Sequence, residues 1–126
     1  MTPRLTLLTA ISGFVVVSLG ALGAHALEPK LIENGNLNAW STAAHYHLLH
    51  TVACLAVAAW AAAHPSRLSR LARIQIAWLL GCLLFSGSIY VLALGGPKIF
   101  GPITPLGGVG FLIGWILLAL ETRRQA

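Results

Sequence analysis

The chain has 126 residues, of which 57% are hydrophobic and 9% charged, with a net charge of +5 and a mean hydropathy of +0.82. A soluble domain carries about 25% charged residues, so this composition excludes an ordinary water-soluble enzyme or binding module. The length leaves a single domain, residues 1–126, because four membrane spans and their connections use it up.

The first predicted span is Leu5–Ala24. Like the three that follow, it contains no Asp, Glu, Lys or Arg, and a spanning helix needs roughly 20 apolar residues. Arg4, this apolar run and Ala24-His25-Ala26 together imitate a secretory signal. The run exceeds the ~7–15 apolar residues of a signal core. Cleavage would also leave three spans and put the two arginine clusters on opposite sides, so the segment is expected to remain as a span.

In the first loop, Glu28-Pro29-Lys30-Leu31-Ile32-Glu33 reads as a short interfacial helix. Pro29 suits its first turn and Asn34-Gly35-Asn36 stops it. Glu28 is expected to be solvated near the headgroups, and Trp40 to sit where an interfacial indole is favoured.

The second span, Trp40–Ala63, carries His45, Tyr46, His47 and His50 near its outer end, with Cys54 a turn deeper. At 100° per residue, His47 and His50 lie roughly 60° apart, whereas His45 points about 140° away from His50. The third span, Ile74–Leu94, has Cys82, Ser86 and Tyr90 in an i, i+4, i+8 row on one face. The third loop is apolar and rich in Gly and Pro, and is expected to pack as a plug on the outer end of the bundle, with Ile99, Phe100 and Ile103 dipping into the membrane. Thr104-Pro105 reads as an N-cap followed by Pro at the first helical position. The fourth span, Ile103–Leu120, contains Gly110-Phe-Leu-Ile-Gly114, a GxxxG face for contact within the bundle or with a second copy.

The basic residues sort by loop. Arg4, Arg67, Arg70, Arg73, Arg123 and Arg124 fall on one side of a four-span topology, and Lys30 and Lys98 on the other. The positive-inside rule then places both termini in the cytoplasm and explains the net charge without nucleic acid. Arg67, Arg70 and Arg73 are also candidates for holding lipid headgroups.

With that orientation, the polar chemistry gathers in the outer half of the bilayer. His25, Tyr46, His50, Ser86, Tyr90 and Thr104 are the candidates for an outward-facing polar pocket, with His25 and His50 expected to face the interior at similar depth. Thr6, Thr9, Ser12 and Gln75 read as inner-half residues near the rim. The sharpest chemical alternative is a metal or haem site with His50, Cys54, Cys82 and His25 as ligands. No CxxC or HExxH spacing appears. The plainer expectation is that the histidines hydrogen-bond within the bundle while the cysteines act as small apolar fillers. A Cys54–Cys82 disulfide requires their helices to adjoin. No carboxylate lies inside the bundle and no nucleophile–base pattern is recognisable, so a non-enzyme with no cofactor is expected.

Gly20-Ala-Leu-Gly-Ala-His25-Ala-Leu, Trp40-Ser-Thr42-Ala-Ala-His-Tyr46 with His50, Phe85-Ser86-Gly87-Ser88-Ile-Tyr90, and Gly101-Pro-Ile-Thr104-Pro105-Leu-Gly107-Gly108 through Gly114-Trp115 stand in this order. Together they resemble the small transmembrane-protein-256-like family, a four-span group of bacteria and mitochondria catalogued as a domain of unknown function. The resemblance implies a four-span inner-membrane protein and supplies no activity. The family pattern has Gln where this chain has His47, which argues against His47 as a required ligand. The functional expectation is a small accessory or scaffold component of the bacterial inner membrane, with a metal- or haem-handling protein and a small oligomeric transporter or proton conductor as alternatives. The bilayer, a larger membrane complex or a second copy are the expected partners.

Overall fold

The computed structural model describes residues 2–124, and every regular element among them is helical. The elements are α1 (Pro3–Ala24), α2 (Glu28–Glu33), α3 (Leu37–Ala63), α4 (Leu68–Gly81), α5 (Gly87–Ala93) and α6 (Ile103–Arg123). A π-helical turn at Cys82–Ser86 joins α4 to α5, so the two run on as one helix. Four helices, Pro3–Ala24, Leu37–Ala63, Pro65–Ala93 and Lys98–Arg123, are long and apolar enough to cross a membrane. The third begins earlier than its apolar run suggests, because the helix continues back through Arg73 and Arg70 to Leu68.

α3 packs against α1 on one side and α4 on the other, and α6 lies along α4. In hydrocarbon no hydrophobic drive pulls helices together, so close approach and hydrogen bonds must do it. The α4–α6 seam shows the close approach. A Cβ on Gly107 would overlap the backbone of Leu84 and Phe85, and one on Gly114 would overlap the Trp78 indole. Gly110 faces Ala77 and Gly81 on the same seam, so the GxxxG face is turned to the third span of its own chain.

α1 has fewer neighbours. It lies on α3 and leaves Phe14, Val17 and Leu7 facing outward.

The short helix α2 forms where Pro29 and the Asn34-Gly35-Asn36 stop predict it, with Gly35 at φ +69° in the turn. It is anchored to the bundle. Leu31 is fully buried, and the Asn34 and Asn36 amides both donate to the Ala93 carbonyl, at 3.3 and 3.2 Å. Trp40 faces the bundle: it is buried, donates from Nε1 to the Leu19 carbonyl at 2.9 Å, and lies tilted against Tyr90 with ring centroids 4.7 Å apart.

The third loop departs from expectation at its cap and in where it packs. α6 starts at Ile103 with Pro102 at the N-cap position, so Thr104 lies inside the first turn and caps nothing. Its Oγ1 instead meets Ser88 Oγ at 2.5 Å. Ile99 is 72% exposed, and the turn Lys98–Phe100 rests beside α5 and α6 rather than closing over the polar cluster.

Candidate functional site: a polar ladder beneath an apolar groove

The structure separates the residues expected to share one pocket. His25 ends α1 and is exposed, away from His50, because the chain turns out of the helix there. His50 is buried, and both its ring nitrogens are engaged. Nδ1 lies 2.8 Å from the Tyr46 carbonyl, and Nε2 lies 3.0 Å from Trp115 Nε1. A carbonyl only accepts and an indole N–H only donates, so Nδ1 carries the proton and Nε2 accepts. Phe111 stacks on the ring at 3.8 Å, with Trp78 and Trp115 edge-on at 6.0 Å each. Tyr46 covers this aromatic cluster from its exposed side. His50 therefore fills and ties the gap between α3 and α6.

The expected metal set is not assembled. Cys54 and Cys82 are both free and buried, and each thiol lies near a backbone carbonyl, Gln75 at 3.7 Å and His47 at 3.8 Å. Among the described residues no group of three or more His, Cys, Asp and Glu is placed to hold a metal ion.

The row Cys82, Ser86 and Tyr90 does share a face, and that face meets α3. Ser86 donates to the Ala43 carbonyl at 2.7 Å, and Tyr90 reaches His47. Such π-turns are over-represented at functional positions.

His47 is the centre of the polar cluster. Its Nδ1 lies 3.1 Å from Tyr90 Oη and its Nε2 lies 2.9 Å from Ser12 Oγ. Ser12 continues to Thr51 Oγ1 at 2.7 Å, and Thr51 returns to the His47 carbonyl at 2.8 Å. Ser12 and Thr51 were not separable from other scattered hydroxyls in the sequence. Ser12 sits halfway along α1, facing α3, rather than near a rim.

The ladder forms the floor of a groove between α1 and the α4–α5 helix, with a volume of about 500 Å³. Leu8, Ile11 and Val15 build one wall, and Leu79, Leu80 and Leu83 the other. Ser12, His47, Cys82 and Tyr90 are reached from within it.

At the opposite end of the bundle the arginines are not all free. Glu121 is buried, and Arg70 Nε donates to its Oε2 at 2.8 Å, with Arg124 at 3.7 Å and Arg67 at 4.0 Å. Arg67 and Arg70, expected at lipid headgroups, are thus drawn toward this carboxylate, while Arg73 is exposed. Glu121 follows directly on the last apolar residue of the fourth span and gives no sequence signal of burial.

Residues 19–108 match the family model described as "Protein of unknown function (DUF423)". The chain belongs to that family. It is 46% identical over 112 residues to a UPF0382 membrane protein of Haemophilus influenzae, covering 89% of this chain and 87% of that one. It is 42% identical to the UPF0382 membrane protein YwdK of Bacillus subtilis, over 90% of this chain and 91% of that one. The UPF0382 inner membrane protein YgdD of Escherichia coli is 40% identical, over 98% of this chain and 93% of its own. No solved structure matches. The chain is therefore a DUF423 membrane protein of four apolar helices, in agreement with the composition and the spans.

Proposed function

We propose that this DUF423 protein is a non-enzymatic accessory protein of the bacterial inner membrane that holds a membrane-dissolved, single-chain lipid in the groove between α1 and the α4–α5 helix. The observation that carries this reading is the contrast within the groove. Its walls are Leu, Ile and Val, while its floor is a hydrogen-bonded row of Ser12, His47 and Tyr90. Polar side chains within a span are costly in hydrocarbon, and a row of them beneath an apolar channel suits a ligand with a tail and a polar head. An acyl or isoprenoid chain fits a volume of about 500 Å³.

Further readings accompany this one. Six arginines against two lysines support cytoplasmic termini, which puts Tyr90 and the third loop toward the outer leaflet. The inner-membrane name of the Escherichia coli relative supports that location, and kinship with the transmembrane-protein-256-like group rests on the ordered motifs.

The test uses Gly87→Leu. Gly87 lines the groove, and a Cβ there meets nothing within 4 Å, so a leucine fills the channel without displacing backbone. Native mass spectrometry of the protein extracted from its own membranes is expected to show one retained single-chain or isoprenoid lipid on the wild type and none on Gly87→Leu. Equal lipid on both proteins, or none on either, would reject the groove as a binding site.

A further inference from the structure

The hydrogen positions along the ladder limit what head group the groove accepts. The His47 carbonyl can only accept, so the Thr51 hydroxyl spends its one hydrogen on it. Thr51 Oγ1 can then only accept from Ser12, whose hydrogen is used in turn. Ser12 Oγ therefore accepts from His47 Nε2–H, which leaves Nδ1 of the neutral ring as an acceptor. Tyr90 must donate its hydroxyl hydrogen to that nitrogen. The chain thus has one direction, Tyr90 to His47 to Ser12 to Thr51, fixed at its far end by a backbone carbonyl. The Cys82 thiol also lies against the His47 carbonyl, so it offers the groove no free hydrogen.

Every side-chain polar hydrogen of the floor is consumed, whereas the oxygens of Tyr90 and Ser12 keep lone pairs. A head group that brings a hydrogen completes this site. One that brings only acceptors sets oxygen against oxygen and loses its own solvation or headgroup contacts without replacement.

We infer that the groove selects a lipid whose head is a hydrogen-bond donor, a hydroxyl on an apolar chain, over the same lipid carrying only acceptors. This rests on the groove being a lipid site. Both a long-chain alcohol and a quinol present such a hydroxyl. A methyl ether and a quinone do not.

The experiment measures binding to wild-type protein in mild detergent for two matched pairs, hexadecanol against hexadecyl methyl ether, and a prenylated quinol against its quinone under anaerobic conditions. The donor of each pair is expected to bind about tenfold more tightly, the worth of one hydrogen bond. Preference for a donor in one pair alone tells a simple alcohol from a ring-bearing head, and either supports the inference. Ser12→Ala removes one acceptor and leaves the His47 Nε2–H free to donate, so it is expected to bring the ratio toward one. Tyr90→Phe instead bares the His47 Nδ1 acceptor and is expected to keep the preference for the donor, and loss of the preference there would overturn the assigned direction. Equal affinity within both wild-type pairs, with Gly87→Leu binding none of the four, overturns the donor rule while leaving the groove as a lipid site. No binding of any probe above the Gly87→Leu level overturns the groove reading and the donor rule together.

Discussion

The indole N–H of Trp115 donates to Nε2 of His50 across 3.0 Å, joining the fourth span to the second through side chains. The other ring nitrogen is held by the Tyr46 carbonyl one turn back, and Phe111 lies flat on the ring. Trp115→Phe keeps the aromatic bulk and removes the donor. It is expected to lower stability by about 0.5–2 kcal/mol, the range for an interhelical hydrogen bond in a bilayer. Thermal unfolding in one detergent checks this. A Trp115→Phe protein as stable as the wild type would show that packing alone holds His50.

The ladder predicts coupling. Ser12→Ala strips His47 of an acceptor and Thr51 of a donor, while Tyr90→Phe strips His47 of a donor at the other nitrogen. Once either end is lost the ring is free to turn, so the second substitution has less to break. The double mutant is expected to fall short of the summed single effects by about 0.5 kcal/mol or more. Additive losses in a double-mutant cycle would mean that the bonds act separately.

Two glycines on facing sides of the π-turn are expected to behave oppositely. A Cβ on Gly107 overlaps the backbone of Leu84 and Phe85, so Gly107→Ala must push α6 away, at roughly 1–3 kcal/mol. A Cβ on Gly87 meets open space, so Gly87→Ala is expected to be neutral or to stabilise by up to ~1 kcal/mol through helix propensity. The two midpoints, measured side by side, decide whether the α4–α6 contact is as close as described.

Glu121 gathers Arg70, Arg124 and Arg67 where α4 begins and α6 ends. Glu121→Gln leaves three cations without their shared anion. Backbone amide exchange is expected to quicken in the last turn of α6 and around residues 64–70, with no change near His47. Unchanged exchange at that end would show that the ion cluster does not hold the two helices.

Cys54 is buried in the bundle interior with its thiol turned to the Gln75 carbonyl, whereas Cys82 lines the groove. A membrane-permeant maleimide is therefore expected to leave Cys54 unmodified in the folded protein and to label it once the protein is unfolded. Rapid labelling of Cys54 in the native protein would place its thiol in an open path.

The sequence by itself determined four spans, the arginine-rich end, the short helix around Leu31 and the face shared by Cys82, Ser86 and Tyr90. Each of these depends on local properties: apolar length, charge placement, turn chemistry and the periodicity of one helix. The tertiary structure decided which polar residues meet. These helices are apolar nearly all round, so their periodicity does not separate the lipid-facing side from the bundle side. Depth and rotation are set by contacts between helices, such as Gly107 on Phe85 and Gly114 on Trp78. Those contacts bring Ser12 level with His47, cover His50 with Trp115, enclose Glu121 and leave His25 outside. His47, set aside on its departure from a family pattern, became the centre of the site because its two nitrogens face α1 and α5 at once, a relation between three helices that no single stretch of sequence contains.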